Sequence, residues 1–233
     1  MRDTVARISF GIVALIALGG TTLSATLWTM TSPTDVVAFG GGHGDPANFD
    51  NWFWRLTITF FYFTILSNII VGVTYLMLAI RTERQSTAFR TFRLFGLIAI
   101  IITGLVVNLY LNRLYTPTGI NLVKNDLVHV LSPILATLTW LIFGPRTPFR
   151  FKYIVGAIGI GVAWLAVTFI HGSFIHWFPY PFLDVDAIGL TKSLINSVAI
   201  MVIAFLLGMA ILGLDKVLPG HAALDEAKPT GQS

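Results

Sequence analysis

The sequence predicts an all-α polytopic membrane protein, a bundle of six transmembrane helices with both termini cytoplasmic. Three observations lead there. Hydrophobic residues make up 55% of the 233-residue chain and charged residues only 11%, with a mean hydropathy of +0.78, whereas soluble domains are about one-quarter charged. Six stretches approach the roughly 20 mostly apolar residues that a helix needs to cross a bilayer: Ile8–Met30, Trp54–Ile80, Leu94–Leu111, Leu127–Phe143, Tyr153–Ile170 and Leu190–Leu214. Threading them in alternation puts all of the 15 Lys and Arg except Arg55, Arg113, Lys124 and Lys192 on the side of the N-terminus, the excess that marks cytoplasmic loops. Residues 1–214 are thus expected to form one domain in the plasma (inner) membrane, followed by a polar cytoplasmic tail, 215–233, expected to be disordered. The net charge of +4 is mostly this loop bias and calls for no nucleic-acid partner. With no cysteine in the chain, disulfides, thiol catalysis and cysteine-ligated metals are excluded.

The first stretch carries small residues (Gly19, Gly20, Ser24, Ala25) that let a neighbour approach closely. It outruns the apolar core of a signal peptide and is kept as a helix. The outer loop after it, from Thr31 to Phe53, contains the glycine-rich run Gly40-Gly41-Gly42-His43-Gly44 and ends among Trp52 and Trp54, residues suited to the membrane interface. The run lacks the preceding strand and following Gly-Lys-Ser/Thr of a phosphate loop; a flexible lid or a plain connection remains. In the second stretch Thr57, Phe61, Thr64, Asn68, Val71 and Tyr75 share one helix face, with Ser67 beside Thr64. Left to themselves, such Thr and Ser hydroxyls bond back to their own helix and Asn68 joins two helices. The loop Arg81–Arg93 is a basic hinge that suits anionic lipid headgroups.

The third stretch brings Thr103, Asn108, Tyr110 and Asn112 toward its outer end. The fourth holds the most unusual residues, Asp126, His129, Pro133, Thr137 and Trp140, recurring on one side. An ionisable ring in a membrane helix faces the bundle interior and marks a functional site by default. Pro133 has no N–H to return to the carbonyl of His129 and crowds it, which predicts a kink there and a freed carbonyl. Asp126, one turn outward, either holds the imidazole tautomer or caps the helix start, the simpler reading. For Trp140, pocket wall, core and lipid face are all open.

The fifth stretch has the close-packing run Gly156-Ala157-Ile158-Gly159-Ile160-Gly161. The aromatic segment after it, His171 to Asp184, reads as a re-entrant cap with Tyr180 and Asp184 pointing inward. Its two histidines lie five apart and have no third ligand in reach, so no metal is expected. The sixth stretch opens with Lys192 and places Asn196 one turn below.

No G-x-S-x-G elbow, H-E-x-x-H or H-x-E…C-x-x-C motif occurs. What remains is a hydroxyl nucleophile with a neighbouring base, Thr64 with His129, and with Ser67, Asn68, Asn108 or a kink-exposed amide as oxyanion donors. Tyr180, Asp184, Lys192, Asn196, Asp126 and Trp140 complete the candidate surroundings. Neutral imidazole can take a hydroxyl proton at ordinary pH without any cofactor. At about 1.5 Å per residue, Thr64 lies roughly 15 Å below Trp54 and His129 roughly 8 Å below Lys124, in the same outer half but not level.

Phe63-Thr64-Ile65-Leu66-Ser67-Asn68, His129 with Pro133 and Trp140, and Tyr180-Pro181-Phe182-Leu183-Asp184 resemble the marks of a bacterial six-helix membrane family. That family is similar to the eukaryotic androgen-induced and androgen-dependent (FAR-17a-like) proteins. The resemblance implies an intramembrane threonine on the second helix and a histidine on the fourth that hydrolyse fatty-acid esters of hydroxy fatty acids, roles that fall on Thr64 and His129. Where relatives often carry an acidic residue just before the tryptophan, this chain has Thr139. The expected partners are membrane lipids and a lipid-ester substrate. The rival reading is a lipid- or quinone-binding protein or small transporter, in which His129, Asn68, Asn108 and Lys192 bind a polar headgroup.

Overall fold

The computed structural model describes residues 2–39, 43–84, 86–114, 117–144 and 149–218. Among them there are helices and turns and no strand. Six helical segments are long and apolar enough to cross a membrane, so the chain is a multi-pass membrane protein. The tail beyond Leu218 and the glycines 40–42 lie outside the described residues, and with them the expectations of a disordered tail and a glycine lid.

The elements are α1 (Arg2–Met30), α2 (Pro33–Phe39), α3 (Trp52–Thr59), α4 (Phe63–Ile80), α5 (Thr87–Leu109), α6 (Ile120–Asp126), a π-helical turn (Leu127–Leu131), α7 (Ser132–Phe143), α8 (Phe151–Ile175), α9 (Val185–Ile188) and α10 (Leu190–Val217). Helix α5 sits at the centre. One face of it joins α1, α4 and α7 around Phe10, Tyr75, Ile100 and Ala136. The other joins α7, α8 and α10 around Leu97, Trp140, Ile154 and Ile211. Side chains such as Ile8, Leu15, Ile195, Val198 and Leu206 stay exposed on the outside of the bundle, as expected where the surrounding solvent is hydrocarbon rather than water. On the N-terminal side, the Arg7 guanidinium donates to the Ala79 and Ile80 carbonyls (2.8 and 3.1 Å) and satisfies the end of α4.

The second span departs from the continuous Trp54–Ile80 helix expected of it. Helix α3 ends at Thr59 and α4 begins at Phe63, with Tyr62 extended between them (φ −70°, ψ 123°). Thr57 and Thr64 therefore do not share one helix face. Two rings are drawn out of the helix by partners far away in sequence. Phe61 stacks on His171 with centroids 3.9 Å apart, and Tyr62 packs edge-on against Trp177 and Tyr180. The backbone groups released by the break are taken up as well: Trp164 Nε1 donates to the Phe61 carbonyl at 3.0 Å.

A layer at one end of the bundle covers this break. Helix α2, the 3-10 turn Pro46–Phe49, α3 and the segment after α8 share a small core of Val36, Val37, Phe49, Ile58 and Trp177. Trp177 Nε1 donates to the Val36 carbonyl, and Arg55 bonds the Thr29, Phe49 and Asp50 carbonyls, fastening α3 to the end of α1. Trp52, Phe53 and Trp54 remain exposed on α3, in keeping with the interface belt. The described parts of the Thr31–Phe53 loop thus form packed helix and turn rather than a free strap.

The fourth span begins at Ile120, not Leu127, and Gly104 of α5 lies against its proline. A Cβ added at Gly104 would come within 3.0 Å of the Pro133 Cβ, so the two helices touch where only a hydrogen fits. We expect Gly104→Val to lower stability by about 1–3 kcal/mol, the usual penalty of overpacking, read as an earlier unfolding midpoint in detergent; Gly104→Ala should cost less. An unchanged midpoint for Gly104→Val would show that the helices do not meet this way.

Candidate functional site

Pro133 determines the local backbone of the site. It offers no N–H, and the turn before it widens into a π helix in which the Ser132 N–H reaches back to the Leu127 carbonyl. Two carbonyls beside the histidine are then met by amides from other helices. Asn108 of α5 donates Nδ2 to the His129 carbonyl at 2.8 Å, and Asn68 of α4 donates Nδ2 to the Val128 carbonyl at 3.1 Å. Each asparagine also holds a carbonyl on its own helix, Gly104 and Thr64 respectively, both at 2.8 Å. The freed His129 carbonyl predicted from Pro133 is present, and Asn108 occupies it.

The ring of His129 has a partner at each nitrogen. Nδ1 lies 2.9 Å from Asn125 Oδ1, and Nε2 lies 3.2 Å from Thr64 Oγ1. An amide oxygen only accepts, so Nδ1 carries the proton toward Asn125 and Nε2 presents its lone pair to the threonine hydroxyl. Thr64 stands at the second residue of α4, where the first-turn amides have no intrahelical acceptor. Its N–H donates to the Tyr180 phenol oxygen at 3.2 Å, and the phenol also lies 3.4 Å from Oγ1. With the Thr64 proton directed at Nε2, the phenol proton points to Oγ1. Tyr180, Thr64, His129 and Asn125 form one directional chain drawn from four segments of sequence. Tyr180 lies on the connection between the fifth and sixth spans. Burial pushes its phenol up from the ordinary value, against hydrogen bonds with Thr64 that pull it down, and it remains a proton donor at neutral pH.

The site is mostly closed, with Thr64, Asn125 and Tyr180 all buried. Beside it lies a narrow apolar cleft between α5, α8 and α10, lined by Tyr180 and Phe63 of the site and by Val107, Trp164 and Met201 among others. Among the described residues no three His, Asp or Glu side chains converge on a metal position. His171 is engaged with Phe61, while His176 pairs with Asp186 at 3.0 Å.

No protein-family model, curated protein or solved structure matches this chain. Its chemistry is therefore read from the geometry.

The structure brings Thr64, His129 and Tyr180 together and gives the other candidates different work. Ser67 bonds the Thr64 carbonyl at 2.9 Å and Thr103 Oγ1 at 3.0 Å, joining α4 to α5. Both amide protons of Asn68 and of Asn108 are spent on carbonyls, so these residues hold the backbone and are not free to serve as oxyanion donors. Asp126 neither caps a helix start nor reaches the ring: the helix begins six residues earlier at Ile120, and Asn125 occupies Nδ1. Trp140 is core, packed with Leu97 and Ile154. Asp184 is buried but caps α9 through the Asp186 and Ala187 amides. Lys192 is exposed, and Asn196 pins the segment after α8 by donating to the Phe182 carbonyl at 2.9 Å. Asn125 is the residue that sequence reasoning missed. Its signal was the spacing of four before His129, one helical turn.

Replacing Asn68 with Leu leaves the Val128 carbonyl without its donor inside the bundle. We expect a loss of about 1–3 kcal/mol, measured as reduced thermal stability in detergent. Asn68→Asp, which has no amide proton to give when ionised, should not rescue it; full stability in either variant would refute the role given to the amide.

Proposed function

We propose that the protein is an intramembrane threonine-dependent hydrolase of lipid esters, fatty-acid esters of hydroxy fatty acids or similar acyl esters. It works in the plasma (inner) membrane with both termini cytoplasmic and the site in the outer half. The observation that carries this reading is the 3.2 Å approach of His129 Nε2 to Thr64 Oγ1 with the opposite ring nitrogen held by Asn125. That is the nucleophile–base–orienter arrangement of acyl-transfer enzymes. The likeness of the threonine, histidine and Tyr180 motifs to the FAR-17a-like proteins supports the same roles.

In the first step Thr64 Oγ attacks the ester carbonyl while Nε2 takes its proton, a contribution of about 10²–10⁴-fold for a well-placed general base. Negative charge gathers on the former carbonyl oxygen. In the resting site the Thr64 N–H donates to the Tyr180 oxygen and the phenol lies on Thr64 Oγ1; these two donors leave those partners and turn to the oxyanion, which the helix N-terminus favours further. Collapse of the tetrahedral species expels the alcohol, which takes the proton from the imidazolium and leaves an acyl-threonine. Water, deprotonated by the same Nε2, then attacks the acyl carbon and releases the fatty acid and free Thr64. Asn125 keeps Nδ1 protonated throughout, so that the lone pair stays on the reacting side. Asn68 and Asn108 act through the backbone, fixing the turn that carries the ring.

Protein purified in detergent should cleave a p-nitrophenyl acyl ester or an ester of a hydroxy fatty acid and take up a fluorophosphonate at Thr64. Thr64→Ala and His129→Ala should each lose at least about a thousandfold in kcat at unchanged folded yield, and Tyr180→Phe about 10²–10³-fold. Asn125→Leu should reduce kcat more than KM, because it frees the ring tautomer rather than the substrate. Normal turnover in both alanine variants removes the assignment. Saturable lipid binding with no turnover in the wild type would favour the carrier reading.

A further inference from the structure

The apolar cleft between α5, α8 and α10 is not used by the proton chain, yet it meets the site through a shared wall. Tyr180, whose hydroxyl touches Thr64, closes one end of it, and Phe63, the residue before the nucleophile, forms the adjoining side. Trp164 packs against both of these rings, and one turn back along α8 the lining reaches Met201 beside Gly161. The lining is almost wholly apolar, and the free cavity volume is only about 40 Å³. Its occupant must therefore be slim and hydrocarbon-like, admitted by small shifts of side chains that can give. Met201 is such a side chain. Its methyl lies over Gly161 of α8, where an added Cβ would be 3.2 Å away, and a thioether with three rotatable bonds adapts readily to irregular space. At the other end, Phe182 stacks on Tyr180 with centroids 5.1 Å apart and planes 6° from parallel, and Asn196 holds the Phe182 carbonyl. The site end of the cleft is thus rigid and the far end is yielding.

Resting on the reading of Thr64 as nucleophile, we infer that this cleft receives the unbranched acyl chain of the ester, with the carbonyl at the Tyr180 end and the chain running toward Met201. The enzyme then reads its substrate by the length of the acyl chain more than by the alcohol. An ester carbonyl within reach of Thr64 Oγ and the Tyr180 phenol sits at the mouth of the cleft, and a straight hydrocarbon chain can follow the apolar lining from there without leaving a polar group unmet. A branched or polar group finds neither the width nor any donor along the lining.

Two measurements test this. The first compares kcat/KM for a long-chain and a short-chain p-nitrophenyl ester in wild type, Val107→Trp and Met201→Ala. The Val107→Trp ring should fill the cleft and lower the long-to-short ratio by at least about tenfold, within the range for one misfitting group in an apolar pocket. Met201→Ala should move the preference toward longer chains. Ratios unchanged in both variants while wild type hydrolyses both esters would overturn the inference and leave the hydrolase reading standing. The second measurement needs no turnover: a fatty acid carrying a nitroxide near its chain end is titrated onto wild type and Trp164→Phe. Saturable quenching present in wild type and reduced in the variant supports chain occupancy of the cleft. No Trp164-dependent quenching refutes it. Quenching with no hydrolysis of any ester would keep the chain site and remove the hydrolase reading.

Discussion

An imidazole inside a lipid-immersed bundle must find a partner for each ring nitrogen, because no water is present to supply one. Everything distinctive about this fold follows from how His129 meets that demand. One nitrogen is satisfied locally, one turn back on the same span, by Asn125. The other is satisfied only across the bundle, by a hydroxyl that stands at the beginning of a different helix. For Thr64 to be there, the second span has to start again at Phe63, and the segment returning from the fifth span has to lie over it.

The backbone is bound by the same accounting. A π turn ahead of a proline and a helix break beside three aromatic rings both release polar groups in a medium where each unmet one costs several kcal/mol. Here they are met one by one: Asn108 on the His129 carbonyl, Asn68 on the Val128 carbonyl, Trp164 on the Phe61 carbonyl, Tyr180 on the Thr64 amide. Each of these side chains reaches from another element. The irregular backbone is therefore a property of the assembled bundle, and it occurs where the proposed chemistry needs a helix-start amide and a directed ring. Such a site resembles the broken helices of other membrane proteins in principle, since non-helical backbone is tolerated only where protein or a cavity surrounds it.

The proposed reaction asks little more of the protein than this network already provides. Asn125 sets the tautomer, the start of α4 offers an N–H beside the nucleophile, and the phenol of Tyr180 adds a second donor. On the proposed reading, the apolar cleft beside Tyr180 gives a hydrocarbon chain a place next to these polar groups. Water for the second half of the reaction has to arrive singly, which suits a slow and selective lipid hydrolase better than a fast one.

Hydropathy sufficed to predict six spans, and the positions of His129 and Pro133 sufficed to predict a freed carbonyl and an inward-facing ring. Thr64 stood out as an unusual hydroxyl in an apolar run, and Tyr180 as the inward residue of a re-entrant segment. These are properties of local composition and of chain covalency, legible in one dimension. The break at Phe60–Tyr62, the choice of Asn125 over Asp126, the use of Asn68 and Asn108 as backbone clamps and the burial of Trp140 in the core were decided only in three dimensions. The reason is that each depends on which ring or amide from a distant span arrives at a given height. A helix-forming stretch gives no sign of being interrupted until Trp177, Tyr180 and His171 are there to interrupt it.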